Sequence, residues 1–195
     1  MDKRPPILIV DNDDGLRASL ERALRREGEE VVAKSGNERS DGEEVGRIFL
    51  AFPSDLTLLE PITNHLTKRI EQAWSIPTGR CAGLGLALRE SLINAIKHGN
   101  HSDAAKTVRV TTDISNDRAM FTVEDEGSGF DVHDLPHPRD AENLLKSSGR
   151  GVLLIKSIMD DAQYNGRGNR LTMIKKRASL FNDESLDQHP DDDRA

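Results

Sequence analysis

Leu84, Leu88, Leu92 and Ile96 recur every four residues, a spacing that predicts a helix over 84–100 with a buried seam. Glu90, Asn94 and His98 repeat at the same interval on a neighbouring face, which puts a carboxylate, an amide and an imidazole in register. Upstream, the unbroken apolar run Ile7-Leu8-Ile9-Val10 suits a buried strand and ends in the acidic turn Asp11-Asn12-Asp13-Asp14. Leu16, Leu20, Ala23 and Leu24 then follow helical spacing up to Gly28, a natural stop, and Glu30 to Lys34 makes a second short strand. Ser35 to Glu44 is polar, carries Gly36 and Gly42, and reads as a linker. A new unit opens near Val45, with a strand over 48–52 and a turn at Pro53-Ser54-Asp55. Thr57-Leu58-Leu59-Glu60 fits a capping box, and Leu59, Ile62, Leu66, Ile70 and Trp74 mark the apolar face of the next helix. Trp74, the only tryptophan, reads as a core or interface anchor.

After Asn100 the pattern changes to alternation. Lys106 to Ile114 and Ala119 to Glu124 form a hairpin around Asn116-Asp117, and the second strand runs into Asp125-Glu126-Gly127-Ser128-Gly129-Phe130-Asp131. Val132 to Ser148 is polar, holds a short helical patch at 141–146, and looks like a mobile lid. Gly149-Arg150-Gly151 opens an apolar helix. Gln163-Tyr164 and Arg170 to Lys176 make a last hairpin, with Leu171, Met173 and, as a further candidate, Ile174 packing inward. From Ala178 periodicity ends in an acidic tail expected to be disordered.

Composition narrows the function classes. A formal charge of −7 argues against broad binding to nucleic acid or anionic membrane, since both need concentrated Lys and Arg. Cys81 is the only cysteine, so neither an internal disulfide nor a cysteine-based zinc site is expected. The apolar stretch ahead of Asp11 is too short for a signal peptide, and the chain reads as cytosolic, hence cytoplasmic.

Three polar sites carry candidate chemistry. An Asn oxygen is a hard ligand suited to Mg²⁺, and a carboxylate one turn earlier can orient or deprotonate a nucleophile. Asp125, ending a buried strand, can accept a hydrogen bond from an exocyclic amine such as that of adenine, while Gly127 and Gly129 let backbone approach a flat ring or phosphate. Glycines opening a helix place free backbone N–H groups and a positive dipole end where phosphates can sit. Taken singly, each has a plainer reading: a solvated helix face, a turn without ligand, a helix start.

Together, E-S-L-I-N-A-I-K-H-G-N, D-E-G-S-G-F-D and G-R-G-V-L-L-I in that order resemble the ATP-binding domain shared by gyrase, heat-shock chaperones, histidine kinases and mismatch-repair ATPases (the GHKL superfamily). Within it the chain is most similar to the bacterial anti-sigma-factor serine/threonine kinases, over Val45 to Arg177. The resemblance implies an α+β fold of Bergerat type, a mixed and mostly antiparallel sheet covered on one face by helices, preceded by a short β-α-β segment. It implies ATP and Mg²⁺ as cofactors, with Glu90 as the base that accepts the substrate hydroxyl proton and Asn94 as the Mg²⁺ ligand. Asp125 would recognise the adenine amine, and Gly127 and Gly129 would shape the turn around it. Gly149, Arg150 and Gly151 would face the phosphates, and Thr172 would support the adenine through water. His98 matches a position that is often His in the family, although a helix-end residue bonded to its neighbours is an equal reading. The implied partners are a sigma factor and a STAS-type antagonist phosphorylated on Ser or Thr, with a homodimer as the assembly. The alternatives are an ATP-binding module without phosphoryl transfer and a histidine-kinase fragment.

The opening β-α-β separately resembles the start of a two-component receiver, but the likeness ends near Glu38. No third strand carries an acceptor Asp, and Asn12 replaces one of the usual acidic residues. Residues 1–38 are therefore expected to be a truncated receiver-like segment without phosphorylation chemistry. Residues 39–45 would be the linker, 46–177 the ATPase/kinase domain and 178–195 the tail.

Overall fold

The computed structural model of the chain describes residues 4–36, 44–131 and 150–181. The expected lid, Gly149, most of the linker and the tail beyond Phe181 lie outside those residues. Strand β1 (Ile7–Asp11) leads into helix α1 (Asp14–Arg26), which starts where the Asp13 carboxylate accepts the Leu16 N–H at 2.8 Å and ends at Gly28, whose φ of +87° suits a residue without Cβ. Strands β2 (Val31–Ser35) and β3 (Glu44–Pro53) flank β1 in space. β1 pairs parallel with β2, Ile7 opposite Val31, and antiparallel with β3, Leu8 opposite Ala51. The amino-terminal β-α-β thus shares one sheet with the rest of the chain.

Helix α2 (Leu59–Ala73) follows a short 3₁₀ turn, Leu56–Leu58. The capping box expected at Thr57 does not form. Asp55 caps the 3₁₀ turn instead, accepting from both the backbone N–H and the hydroxyl of Thr57 at 2.8 Å, and α2 starts without a side-chain cap. Helix α3 (Ala82–Ile93) passes directly into a π-helical turn, Asn94–Gly99, and the chain continues as β4 (Thr107–Ser115), β5 (Arg118–Glu124), α4 (Arg150–Ile158), β6 (Asp161–Tyr164) and β7 (Arg170–Lys176).

The sheet has seven strands in the order β2-β1-β3-β4-β5-β7-β6. Alternation decides its two faces. Ile7, Ile9, Ile48, Leu50, Phe52, Val108, Val110, Phe121, Val123, Leu171 and Met173 are buried on one side. They share a single core with Ile62, Leu66, Ile70, Leu84, Leu88 and Ile155 of the helices. The helices follow one another across that face, α1 beside α2, α2 beside α3, α3 beside α4. The other face carries the half-buried alternates Leu8, Val10, Phe49, Met120 and Ile174, so Ile174 points away from the core that Leu171 and Met173 enter. Trp74 is 1% exposed, and its indole N–H donates to the Ser115 carbonyl at 2.8 Å, fixing the end of α2 to the β4–β5 turn.

Charge ties the amino-terminal segment down. Asp11 is fully buried, with its carboxylate 2.9 Å from His65 Nε2 and 3.5 Å from Arg69 Nε on α2, and it also accepts the Asp13 N–H at 2.9 Å. Arg69 reaches on to Asn12 Oδ1 at 3.0 Å, across Gly46, where any Cβ would collide with the guanidinium. Asp11→Ala should leave a buried guanidinium without its anion and lower the unfolding free energy by roughly 3–5 kcal/mol, read from urea denaturation. The tail begins later than its composition suggests. Ala178–Leu180 forms a 3₁₀ turn, Leu180 is buried, its carbonyl accepts from Arg80 Nε at 2.9 Å, and the Phe181 ring lies under the Arg80 guanidinium.

Candidate active site

Glu90 and Asn94 keep their predicted register because the Asn94 N–H still bonds to the Glu90 carbonyl as α3 ends. Beyond Asn94 the helix widens to π geometry, a rare local form that recurs at functional sites. His98 falls in that turn and is exposed, whereas Asn94 is half-buried with its side-chain nitrogen shielded and without a partner in hydrogen-bond geometry. The turn closes on Asn100, which is fully buried. Its amide donates to Ser54 Oγ at 2.7 Å and the Thr107 carbonyl at 3.1 Å, and accepts the Glu126 N–H at 2.8 Å. This one side chain therefore fastens the end of the helix to β3, to β4 and to the glycine-rich loop.

That loop starts with Asp125, which continues the inward side of β5 set by Val123. Its carboxylate lies against Gly99, where a Cβ would collide with it, and accepts the Gly127 N–H at 2.8 Å. Burial raises the Asp125 pKa above the usual carboxylate value; the Gly127 hydrogen bond opposes the shift and the Glu124 charge adds to it. The glycines serve packing as much as access. Gly127 presses on the Gly99 carbonyl, and Gly129, with φ +80°, presses on the Arg167 carbonyl. The loop is zipped to the β6–β7 turn by Asp125 N–H to Asn169 O at 3.0 Å, Asn169 Nδ2 to Asp125 O at 3.0 Å, Phe130 N–H to Arg167 O at 3.1 Å and Arg167 Nη2 to Gly127 O at 3.0 Å.

Asp125→Asn keeps the shape and an oxygen for Gly127. A carboxylate whose folded pKa is raised contributes stability that is lost as pH rises through that pKa. The variant should therefore have a Tm at pH 7 equal to or above wild type, with the difference shrinking as pH falls toward about 4. Calorimetric scans at the two pH values check this.

The third motif meets the first. Gly151, in the first turn of α4, sits so close to the Glu90 carboxylate that a Cβ there would overlap Glu90 Oε1, while Arg150 is exposed. Tyr164, at the end of β6, completes the site, although the sequence reading gives it no role beyond its place in the last hairpin. Its ring meets Phe130 edge-on, with centroids 4.9 Å apart and planes at 74°. Its hydroxyl lies beside the Asn94 amide and within electrostatic reach of Asp125 and Glu90. Burial pushes the phenol up to about 12, the Asp125 and Glu90 charges push the same way, and the neighbouring Asn94 amide offsets part of the shift. Glu90, Asn94, Asp125 and Gly151 thus share one site on the covered face.

Thr172 requires a correction. On β7 the inward positions are Leu171, Met173 and Lys175, and the Lys175 ammonium donates to the Ile158 carbonyl at the end of α4 at 2.8 Å. Thr172 pairs with Thr122 on one side and Gln163 on the other, both on the open face. Its hydroxyl is directed away from Asp125. The motif is legible in the sequence; the phase of the strand, which decides the face, is not.

An α+β two-layer sandwich with these three glycine-backed motifs on its covered face is the Bergerat-type ATP-binding fold. Residues 52–175 match the histidine kinase-like ATPase domain, and the chain belongs to that family, on the branch of the anti-sigma-factor serine kinases. It is 26% identical to the serine-protein kinase RsbW of Oceanobacillus iheyensis over 99 residues, 48% of this chain and 63% of that protein. It is 31% identical to the anti-sigma F factor of Clostridium perfringens over 97 residues, 46% of this chain and 68% of the relative. With the anti-sigma F factor of Geobacillus stearothermophilus the identity is 24% over 150 residues, 76% of this chain and 91% of the relative. The chain thus spans less than two thirds of the first of these relatives, and the family match leaves β1, α1 and β2 outside it.

Proposed function

We propose that this chain is an ATP-dependent protein serine/threonine kinase acting as an anti-sigma factor. It transfers the ATP γ-phosphoryl group to a Ser or Thr hydroxyl of a STAS-type antagonist. The observation that carries the reading is the apposition of the Glu90 carboxylate to Gly151 at the start of α4, one turn from Asn94. A carboxylate is thereby held where a helix N-terminus favours anionic phosphates, an arrangement a pure nucleotide binder does not need.

The residues present fit a nucleotide and its cation. Asn94, half-buried one turn from the Glu90 carboxylate, brings a hard amide oxygen to the site, and the buried Asp125 carboxylate is an acceptor suited to an exocyclic amine. Among the described residues no group of three His, Cys, Asp or Glu side chains holds a metal alone. Mg²⁺ would be held by the Asn94 oxygen together with ATP phosphates, as is usual for this ion. When bound, it neutralises charge on the phosphates and fixes their orientation. Asp125 accepts from the adenine amine. Backbone N–H groups at the start of α4 face the phosphates. Glu90 takes the proton from the acceptor hydroxyl as its oxygen bonds to the γ-phosphorus and the bond to the ADP oxygen breaks.

The proposal includes a homodimer in the cytoplasm, making no contact with nucleic acid or membrane; the net charge of −7 supports the exclusion of nucleic acid. No helix among the described residues is long and apolar enough to cross a membrane. The full chain incubated with Mg-[γ-³²P]ATP and a cytosolic extract of its own cells tests the activity. Label on a Ser or Thr of a small STAS-type protein, absent with Glu90→Gln, supports it. ATP binding without any label leaves only a nucleotide-controlled binding module.

A further inference from the structure

We propose that Tyr164 is a positioning residue of the nucleotide site, its hydroxyl accepting from the Asn94 amide nitrogen so that the Asn94 carbonyl oxygen faces the cation. The inference rests on the nucleotide reading and concerns one residue that the reading leaves without a role.

An asparagine amide can present either its oxygen or its nitrogen, and only the oxygen ligates Mg²⁺. Something must therefore fix which way it is turned. Asn94 Nδ2 is shielded from solvent and has no partner in hydrogen-bond geometry, and the Tyr164 hydroxyl lies beside that amide. Three features make the position of the tyrosine a built one. Tyr164 is opposite Leu171 in the β6–β7 ladder, and Leu171 is opposite Val123, so its ring stands on the inward side that leads to Asp125. Phe130 holds the ring edge-on from the glycine-rich loop. Gly168, with φ +79°, lets the β6–β7 turn close on the Phe130 backbone, so the hairpin and the loop are packed against each other. With Thr172 on the far face and Leu171 inward, Tyr164 supplies the hydroxyl on this side of the hairpin.

Calorimetric titration of the full chain with ATP, in Mg²⁺ and in EDTA, tests this. Tyr164→Phe keeps the ring and the Phe130 contact and removes only the oxygen. It should weaken Mg-ATP about fivefold to tenfold, the effect of one hydrogen bond, while metal-free ATP binds within about twofold of wild type. Thr172→Val should change neither. A purely structural role for the hydroxyl would weaken both forms together. Equal Mg²⁺ dependence in wild type and Tyr164→Phe overturns the inference while the nucleotide reading stands; failure of wild type to bind ATP overturns both. In unmutated protein, a nuclear Overhauser contact between the Asn94 side-chain NH₂ and the Tyr164 ring protons is expected, and its absence contradicts the inference whatever the variant does.

Discussion

Asn94→Ala is expected to weaken Mg-ATP binding by about 100-fold or more, the roughly 3 kcal/mol of one contact to a charged group. The reason is that the Asn94 oxygen is the ligand assigned to the cation, and among the described residues no group of three His, Cys, Asp or Glu side chains stands ready to replace it. The fold should tolerate the change, because Asn94 makes no side-chain hydrogen bond that the core needs, unlike Asn100 at the exit of the π turn. Calorimetry on wild type and variant, with thermal scans to show equal folding, separates the two effects. Equal affinity would end the assignment of Asn94.

Glu90→Gln should behave in the opposite way, with ATP affinity within about twofold of wild type and phosphoryl transfer reduced by about 10²–10⁴-fold. The amide has the size of the carboxylate and still fits against Gly151, where space is tight, but it cannot accept the hydroxyl proton. If Gln supports transfer at the wild-type rate, the carboxylate only shapes the start of α4 and the base lies elsewhere. The pair of variants distinguishes binding from chemistry: Asn94 should govern the first and Glu90 the second.

Much of this is legible in the chain itself, for reasons that are local. The α1 and α3 periodicities, the β4–β5 alternation and the Gly28 stop each depend on neighbours in sequence, and the three motifs carry glycines whose need appears only when a backbone must approach something. Most of the misreadings are tertiary, the cap of α2 being a local one. Thr172 is placed by its motif, but a strand residue faces one side or the other according to pairing, and Leu171 takes the inward position. Asp55 displaces Thr57 as a cap because a 3₁₀ turn precedes α2. The Asp11–His65–Arg69 cluster joins residues distant in sequence, and nothing near Asp11 announces it. Tyr164 and Asn100 escape a sequence reading for different reasons. Tyr164 looks like any edge-strand aromatic until its partner Leu171 fixes its side, whereas Asn100 closes the quoted motif and its burial is the missing fact.

The shared site of Glu90, Asn94 and Asp125 is tested most directly by ¹⁵N-resolved NMR of the full chain titrated with Mg-ATP. Backbone and side-chain shifts should concentrate at residues 90–100, at 125–130 and at Tyr164, and leave unmoved the separate groove that Thr63 and Thr67 of α2 and Gly85 of α3 line. Shifts confined to that groove or to the open face of the sheet, with Asn94 and Asp125 silent, would contradict the account.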